Sequence, residues 1–227
     1  MSFFHRKIKS YVVRNRVLPE PKDKLYKNLY SKFGLPNLDL DQNLDQIQIW
    51  DFSNIFNNNN PVILEIGFGT GDSLLKNAES SPNYNYIGIE VYKTGLFNIL
   101  NNLNNLTNLR VCEGDAVTIL AKCIADKVLA GVQIFFPDPW PKSRHHKRRL
   151  IQPDFIALLS AKIMKNGFLH LATDWEDYGN HMQRVVMNNT NFSLYNNLDN
   201  QRLLTKFERR GLEFGYKIVD LKYQVTT

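Results

Sequence analysis

The chain has 227 residues, 43% hydrophobic and 12% aromatic, enough to bury a core in one domain or one domain plus an arm, which excludes global disorder. Its 28 Lys and Arg against 22 Asp and Glu leave a formal charge of +6, which favours an anionic partner and leaves nucleic acid and a membrane surface both open. Two cysteines, Cys112 and Cys123, make no disulfide framework and match no zinc or redox spacing, and no apolar run nears the roughly 20 residues of a spanning helix, so a soluble cytoplasmic protein without a metal site is expected.

In chain order, residues 1–50 mix Lys, Arg, Pro and scattered aromatics without a sustained period, and Pro19, Pro21 and Pro36 forbid one continuous helix. This stretch reads as a basic N-terminal arm, and 51–227 as a single domain. From Pro61 onward short apolar runs alternate with segments of helical period. The predicted strands are Val62 to Ile66, Tyr86 to Val91, Leu109 to Cys112, Val132 to Phe136 and Phe168 to Ala172. The predicted helices are Ser73 to Glu79, Leu96 to Leu106, Ala116 to Ala125 and Phe155 to Met164. Phe192 to Tyr195 and Tyr216 to Leu221 alternate as two further strands, an antiparallel edge pair. The pattern predicts an α/β doubly wound fold with a mostly parallel, Rossmann-like sheet, whose ligands sit at the carboxyl ends of the strands.

The first strand runs into Glu65-Ile66-Gly67-Phe68-Gly69-Thr70-Gly71-Asp72. A dinucleotide fingerprint wants a glycine at 72, where Asp72 stands, so the spacing favours a ligand with no pyrophosphate to cradle. The second strand ends at Glu90, where a carboxylate can accept both hydroxyls of a ribose. The third is followed by Glu113-Gly114-Asp115, placing an acid within reach of an adenine amino group, although Asp115 can also simply cap the next helix. A glycine-rich turn, an acid and an acid at three successive strand ends point to a nucleoside. The set resembles the class I S-adenosylmethionine-dependent methyltransferases, whose E-x-G-x-G-x-G turn matches Glu65 to Gly71. That resemblance implies S-adenosyl-L-methionine as cofactor, a cation without phosphates that suits an acid-lined pocket.

The fourth strand ends in Phe135-Phe136-Pro137-Asp138-Pro139-Trp140-Pro141, followed by Lys142, Arg144, His145, His146, Lys147, Arg148 and Arg149. The prolines stiffen a turn that holds the Asp138 carboxylate at the mouth of the sheet, and Trp140 offers a ring face on which a base can stack. The basic run is either a solvated face or an RNA footprint; its place beside the predicted active strand end favours RNA. It lacks the amphipathic apolar face that membrane binding requires.

The block from Phe135 to Arg149 resembles the tRNA (guanine-N(7)-)-methyltransferases. Thr173-Asp174-Trp175 and Thr205-Lys206-Phe207-Glu208 are similar to that family's T-D-W and T-K-[FY]-E, and Ile8 to Val12 to its basic R-S-[FY]-V segment. The resemblance implies methylation of guanine N7 in the variable loop of tRNA, by a monomer or homodimer. It makes Glu65, Gly67, Gly69, Gly71, Glu90, Asp115 and Asp138 cofactor-site positions. Lys142, Asp174 and Thr205 to Glu208 correspond to substrate contacts, and Arg144 to Arg149 to an RNA-contacting segment. Asp174 can equally cap the helix beginning near Trp175, and Thr205 and Glu208 stand at the spacing of a capping box. Asp138 is the expected catalytic residue, orienting the guanine or else binding the methionine ammonium group. Two other activities fit parts of the sequence: an amino-methyltransferase acting on adenine or cytosine, whose D-P-P-Y motif Asp138-Pro139-Trp140 partly resembles, and a non-catalytic RNA-binding protein of the same fold.

Overall fold

The computed structural model describes residues 8–12, 17–36, 48–195, 208, 215 and 217–227. The first helix, α1 (Glu20–Phe33), lies within the stretch read as an arm; Pro19 is its N-cap and Pro21 falls in its first turn, where a missing N–H costs nothing. Its Tyr26 is buried, and the helix packs on α4 and β3 introduced below. A short helix, α2 (Phe52–Phe56), is capped by Asp51, whose carboxylate accepts from the amides of Ser53 and Asn54.

The remaining elements alternate: β1 (Val62–Ile66), α3 (Asp72–Ser80), β2 (Asn85–Glu90), α4 (Lys93–Asn101), β3 (Leu109–Glu113), α5 (Ala116–Cys123) and β4 (Leu129–Phe135). A 3-10 turn (Ser143–Arg148) then leads to α6 (Pro153–Lys162), β5 (Ile163–Thr173), α7 (Glu176–Met187), β6 (Phe192–Leu194) and β7 (Val219–Val225). The strands form one sheet in the order β3-β2-β1-β4-β5-β7-β6; the first five are parallel and β7 is antiparallel to both β5 and β6. The expected doubly wound fold and the antiparallel edge pair are both present. Several boundaries differ from expectation: α4 and β4 each begin three residues early, at Lys93 and Leu129, and β7 runs Val219–Val225 rather than Tyr216 to Leu221. Helix α4 ends at Asn101 rather than running to Leu106, and β5 begins at Ile163, five residues before the predicted start, directly after α6.

Each strand of β1, β2 and β4 is buried throughout, as a sheet covered on both faces requires. One face packs against α5, α6 and α7 through Val117, Leu120, Ile156, Leu159, Tyr178 and Met182. The other packs against α1, α3 and α4 through Tyr26, Leu74, Ala78, Leu96, Ile99 and Leu100. Strand order reverses between β1 and β4, so the connections leave a crevice above their carboxyl ends, the place where doubly wound sheets take their ligands.

Candidate active site

A cavity of about 520 Å³ opens at that crevice, within the range of small-molecule sites. Its walls come from four strand ends: Ile66 and Gly67 after β1, Ile89 to Tyr92 after β2, Gly114 to Val117 after β3, and Ile134 to Asp138 after β4. Ser10, Tyr11 and Val12 from the N-terminal segment close one side. Three carboxylates line it, Glu90, Asp115 and Asp138, and no Lys or Arg does so among the described residues.

The glycine turn sits at φ 73° for Gly67, 59° for Gly69 and 81° for Gly71, all in the region that favours glycine. A Cβ on Gly67 would meet nothing within 4 Å, so this glycine leaves open space where the turn faces the cavity. Gly71 does a different job: it caps α3 and does not line the cavity, and its own Cβ would press on Ile99. Gly95, which no motif marks, is the close-approach residue. A Cβ there would lie 2.0 Å from the carbonyl oxygen of Gly69, so only glycine lets α4 start against the turn.

Glu90 is 8% exposed, and its carboxylate is already an organising centre. Oε1 accepts from the amides of Val91 at 2.7 Å and Tyr92 at 3.1 Å, and Oε2 from Gly69 at 2.8 Å. It therefore ties the ends of β1 and β2 together while keeping acceptor capacity toward the cavity. Burial raises its pKa above the ordinary carboxylate value, against the opposing pull of the three amides, and the nearby charge of Asp138 pushes the same way as burial. Asp115 caps α5, accepting from the Thr118 amide at 3.0 Å, and also lines the cavity. Glu65 is 3% exposed within β1 and is not among the residues that line the cavity.

The loop after β4 carries two bulky residues at positive φ, Phe136 at 51° and Trp140 at 46°, on either side of Asp138. Such backbone strain in non-glycine residues gathers at functional sites. Asp138 is exposed at the cavity mouth. One face of the Trp140 ring carries the Arg148 guanidinium, 3.6 Å from its centroid, and His145 packs edge-on at 6.0 Å. Its indole N–H donates to the carbonyl oxygen of Ser10 at 3.1 Å. Trp140 thus fastens the N-terminal segment over the cavity, a contact between residues 130 apart that no local pattern announces.

The basic run divides in two. Lys142, Arg144 and Lys147 are exposed and His145 and Arg148 half-buried beside Trp140. Partial desolvation, then the charges of Arg144, Arg148, Lys142 and Lys147, hold His145 below the usual imidazole value. Arg149 departs from its expected role as an RNA contact. It is 1% exposed, with Nε donating to Pro139 O at 2.9 Å, Nη2 donating to Asp177 and to His146 Nε2, and its guanidinium 4.9 Å from the Tyr178 ring centroid. His146 belongs to that same network, not to a free basic surface. Asp174 is exposed and takes no part in capping α7, whose N-cap is Trp175 without a side-chain bond. Glu208 is buried at 5%; Thr205, Lys206 and Phe207 lie outside the described residues.

Residues 59–221 match the family model described as "Putative methyltransferase". The chain is 42% identical to the tRNA (guanine-N(7)-)-methyltransferase of Mannheimia succiniciproducens, covering 97% of this chain and 88% of that one. It is 41% identical to the enzyme of that name from Nitrosococcus oceani, covering 98% and 93%. Among solved structures it is similar to the 16S rRNA methyltransferase KamB, with a TM-score of 0.56 at 13% identity over 79% of this chain and 95% of that one. A 16S rRNA (adenine(1408)-N(1))-methyltransferase from Catenulisporales acidiphilia gives 0.56 at 12% over 82% and 93%; both likenesses establish the fold alone. Identity above 40% across nearly the full length of these relatives shows that the chain belongs to the tRNA (guanine-N(7)-)-methyltransferase family, built on the class I methyltransferase fold.

Proposed function

We propose that the protein transfers a methyl group from S-adenosyl-L-methionine to the N7 atom of a guanine in the variable loop of tRNA. The observation that carries this reading is the cavity at the switch point: three carboxylates and no Lys or Arg among its described lining residues, opening beside an exposed basic segment. A phosphate-bearing dinucleotide would meet carboxylates there and no Lys or Arg among the described lining residues, with Asp72 occupying the first turn of α3 where an anion would otherwise sit. A cationic nucleoside without phosphates meets complementary charge. When bound, S-adenosyl-L-methionine supplies an electrophilic methyl group on a sulfonium.

This chain's residues do the rest. Glu90 holds a ribose hydroxyl with the acceptor capacity its three amides leave, and Asp115 accepts from the adenine amino group. Ser10 to Val12 close the cavity from the arm side. Guanine N7 is an acceptor with an in-plane lone pair, so no general base is needed. One positive charge is present before transfer and one after it, so charge is moved rather than created. Holding both reactants in line is the dominant task, worth on the order of 7 to 11 kcal/mol.

Asp138, at the mouth of the cavity, accepts from the Watson–Crick edge of the guanine, and its charge favours the purine as that becomes cationic. Lys142 reaches a phosphate or the neighbouring carbonyl oxygen rather than N7 itself, since a donor there would occupy the attacking lone pair. Asp174 and Glu208 belong to the same base site. Arg144, Lys147 and Arg148 grip the RNA backbone, which makes tRNA affinity fall steeply with salt.

The test is nucleoside analysis of unmodified tRNA after incubation with the protein and methyl-labelled cofactor. Label in 7-methylguanosine is expected. Label in a methylated amino group of adenine or cytosine, or none in any nucleoside, would overturn the reading. Asp138→Asn tests the role of that residue: lost turnover with unchanged cofactor affinity is expected, and weakened cofactor binding would assign it to the ammonium group instead.

A further inference from the structure

The loop that carries Asp138 is poor in means of holding itself. Prolines stand at 137, 139 and 141, so three of its five residues have no backbone N–H, and positive φ at Phe136 and Trp140 has to be imposed from outside. At its start the Phe136 amide donates to Ala172 O at 2.8 Å, and Trp140 is tied to Ser10. The carbonyl next to Asp138, that of Pro139, is held by Arg149.

An arginine buried to 1% inside a basic run needs compensation, because a guanidinium taken from water without partners is strongly destabilising. Here the compensation spans two strand ends. Nε bonds Pro139 O after β4, while Nη2 bonds Asp177 in the first turn of α7, three residues beyond Asp174 after β5. The guanidinium lies over Tyr178, the next residue of that helix. The planar fork of arginine suits such a two-ended bridge; a lysine ammonium keeps the charge and loses the geometry.

We propose that Arg149 is a positioning residue for the methyl transfer: it fixes the Asp138 loop to the start of α7, so that Asp138 and Asp174 address one guanine. This rests on the reading of the reaction given above. At 1% exposure Arg149 has no surface to offer RNA, whereas Arg144 and Lys147 are exposed.

The experiment compares wild type, Arg149→Lys and Asp177→Asn for rate of 7-methylguanosine formation at saturation, cofactor affinity, and the salt dependence of tRNA affinity. Asp177 is 63% exposed in its side chain, so Asp177→Asn removes the charged anchor while its amide oxygen still offers Nη2 an acceptor. Both variants are expected to lose about 10- to 100-fold in kcat, the range for a small misplacement of a catalytic group. Cofactor affinity and the salt slope stay at wild-type values in both. Rates are taken per cofactor-binding site, so that unfolded protein does not count as lost kcat.

Unchanged kcat in both variants, with an active wild type, would overturn the positioning role alone. So would a salt slope shallower by about 0.7 to 0.9, the loss of one phosphate contact, in Arg149→Lys. Absence of 7-methylguanosine with the wild-type protein would overturn the reading of the reaction and this role with it.

Discussion

Replacing Glu90 by Gln isolates the contribution of one carboxylate to both cavity and fold. In the wild type both oxygens are acceptors, and three amides point at them, at 2.7, 3.1 and 2.8 Å. A glutamine turns one end into a donor. If its oxygen keeps Val91 and Tyr92, its amino group faces the Gly69 N–H, and two donors oppose each other beneath the glycine turn. A buried donor left without a partner costs about 1–3 kcal/mol, which for a chain of this size lowers Tm by roughly 2 to 12 °C. The cofactor loses a charge-assisted bond worth about 1.5–3 kcal/mol, so Kd rises roughly 10- to 150-fold. Titration calorimetry with S-adenosyl-L-methionine, alongside thermal unfolding of the unliganded protein, measures both. A Kd within threefold of wild type would refute the assignment of Glu90 to the cofactor. The pH dependence has a definite sign. Because burial raises the native pKa of Glu90 above its ordinary value of 4.5, the native state holds that proton more tightly than the unfolded chain. Wild-type stability therefore falls, relative to Glu90→Gln, as pH rises from the ordinary value through the raised one. The Tm gap between them narrows over that window, and a gap that widens would contradict the stated cause of the shift.

Gly95→Ala places a methyl against the carbonyl of Gly69; we expect a stability loss of about 1–3 kcal/mol by denaturant unfolding, together with weakened cofactor binding, although alanine normally favours a helix. Trp140→Phe keeps an aromatic ring for Arg148 and removes the bond to Ser10; cofactor Kd, read by calorimetry, should rise about 2- to 10-fold through a loosened arm, with little change in Tm. Burial pushes the Cys112 thiol up to about 12 and Cys123 up to about 11, so neither should react with a thiol reagent at pH 8 until the chain is unfolded.

Local features of the sequence carried most of the fold. The apolar runs gave the five parallel strands, and the turn from Glu65 to Asp72 with the acids at 90 and 115 pointed to the end of the sheet where the cavity opens, because each feature sits where its own strand ends. Helix α1 was less legible: Pro19 and Pro21 read as breakers, yet a cap and a first turn are positions a helix tolerates, and what stabilises it is burial of Tyr26 against a distant surface. The early start of β5 has a similar origin, in pairing between Ile163 and Leu129.

Within the site, chemistry was easier to read than orientation. Arg149 is indistinguishable from Arg148 in sequence, and only the approach of α7, bringing Asp177 and Tyr178, turns one inward while the other lies over Trp140. The place of Ser10 to Val12 in the cavity wall likewise depends on a bond across 130 residues. Glu65 matches the motif as a cofactor-site acid, and it stands 3% exposed in a strand buried throughout, outside the residues that line the cavity.

The most direct test of the whole assignment is a single-turnover reaction of the protein with S-adenosyl-L-methionine and one unmodified tRNA, followed by chemical cleavage at 7-methylguanosine. We expect one new cleavage site, in the variable loop, appearing in proportion to methyl transferred. Methyl transfer with no cleavage, or cleavage scattered over many guanines, would contradict it.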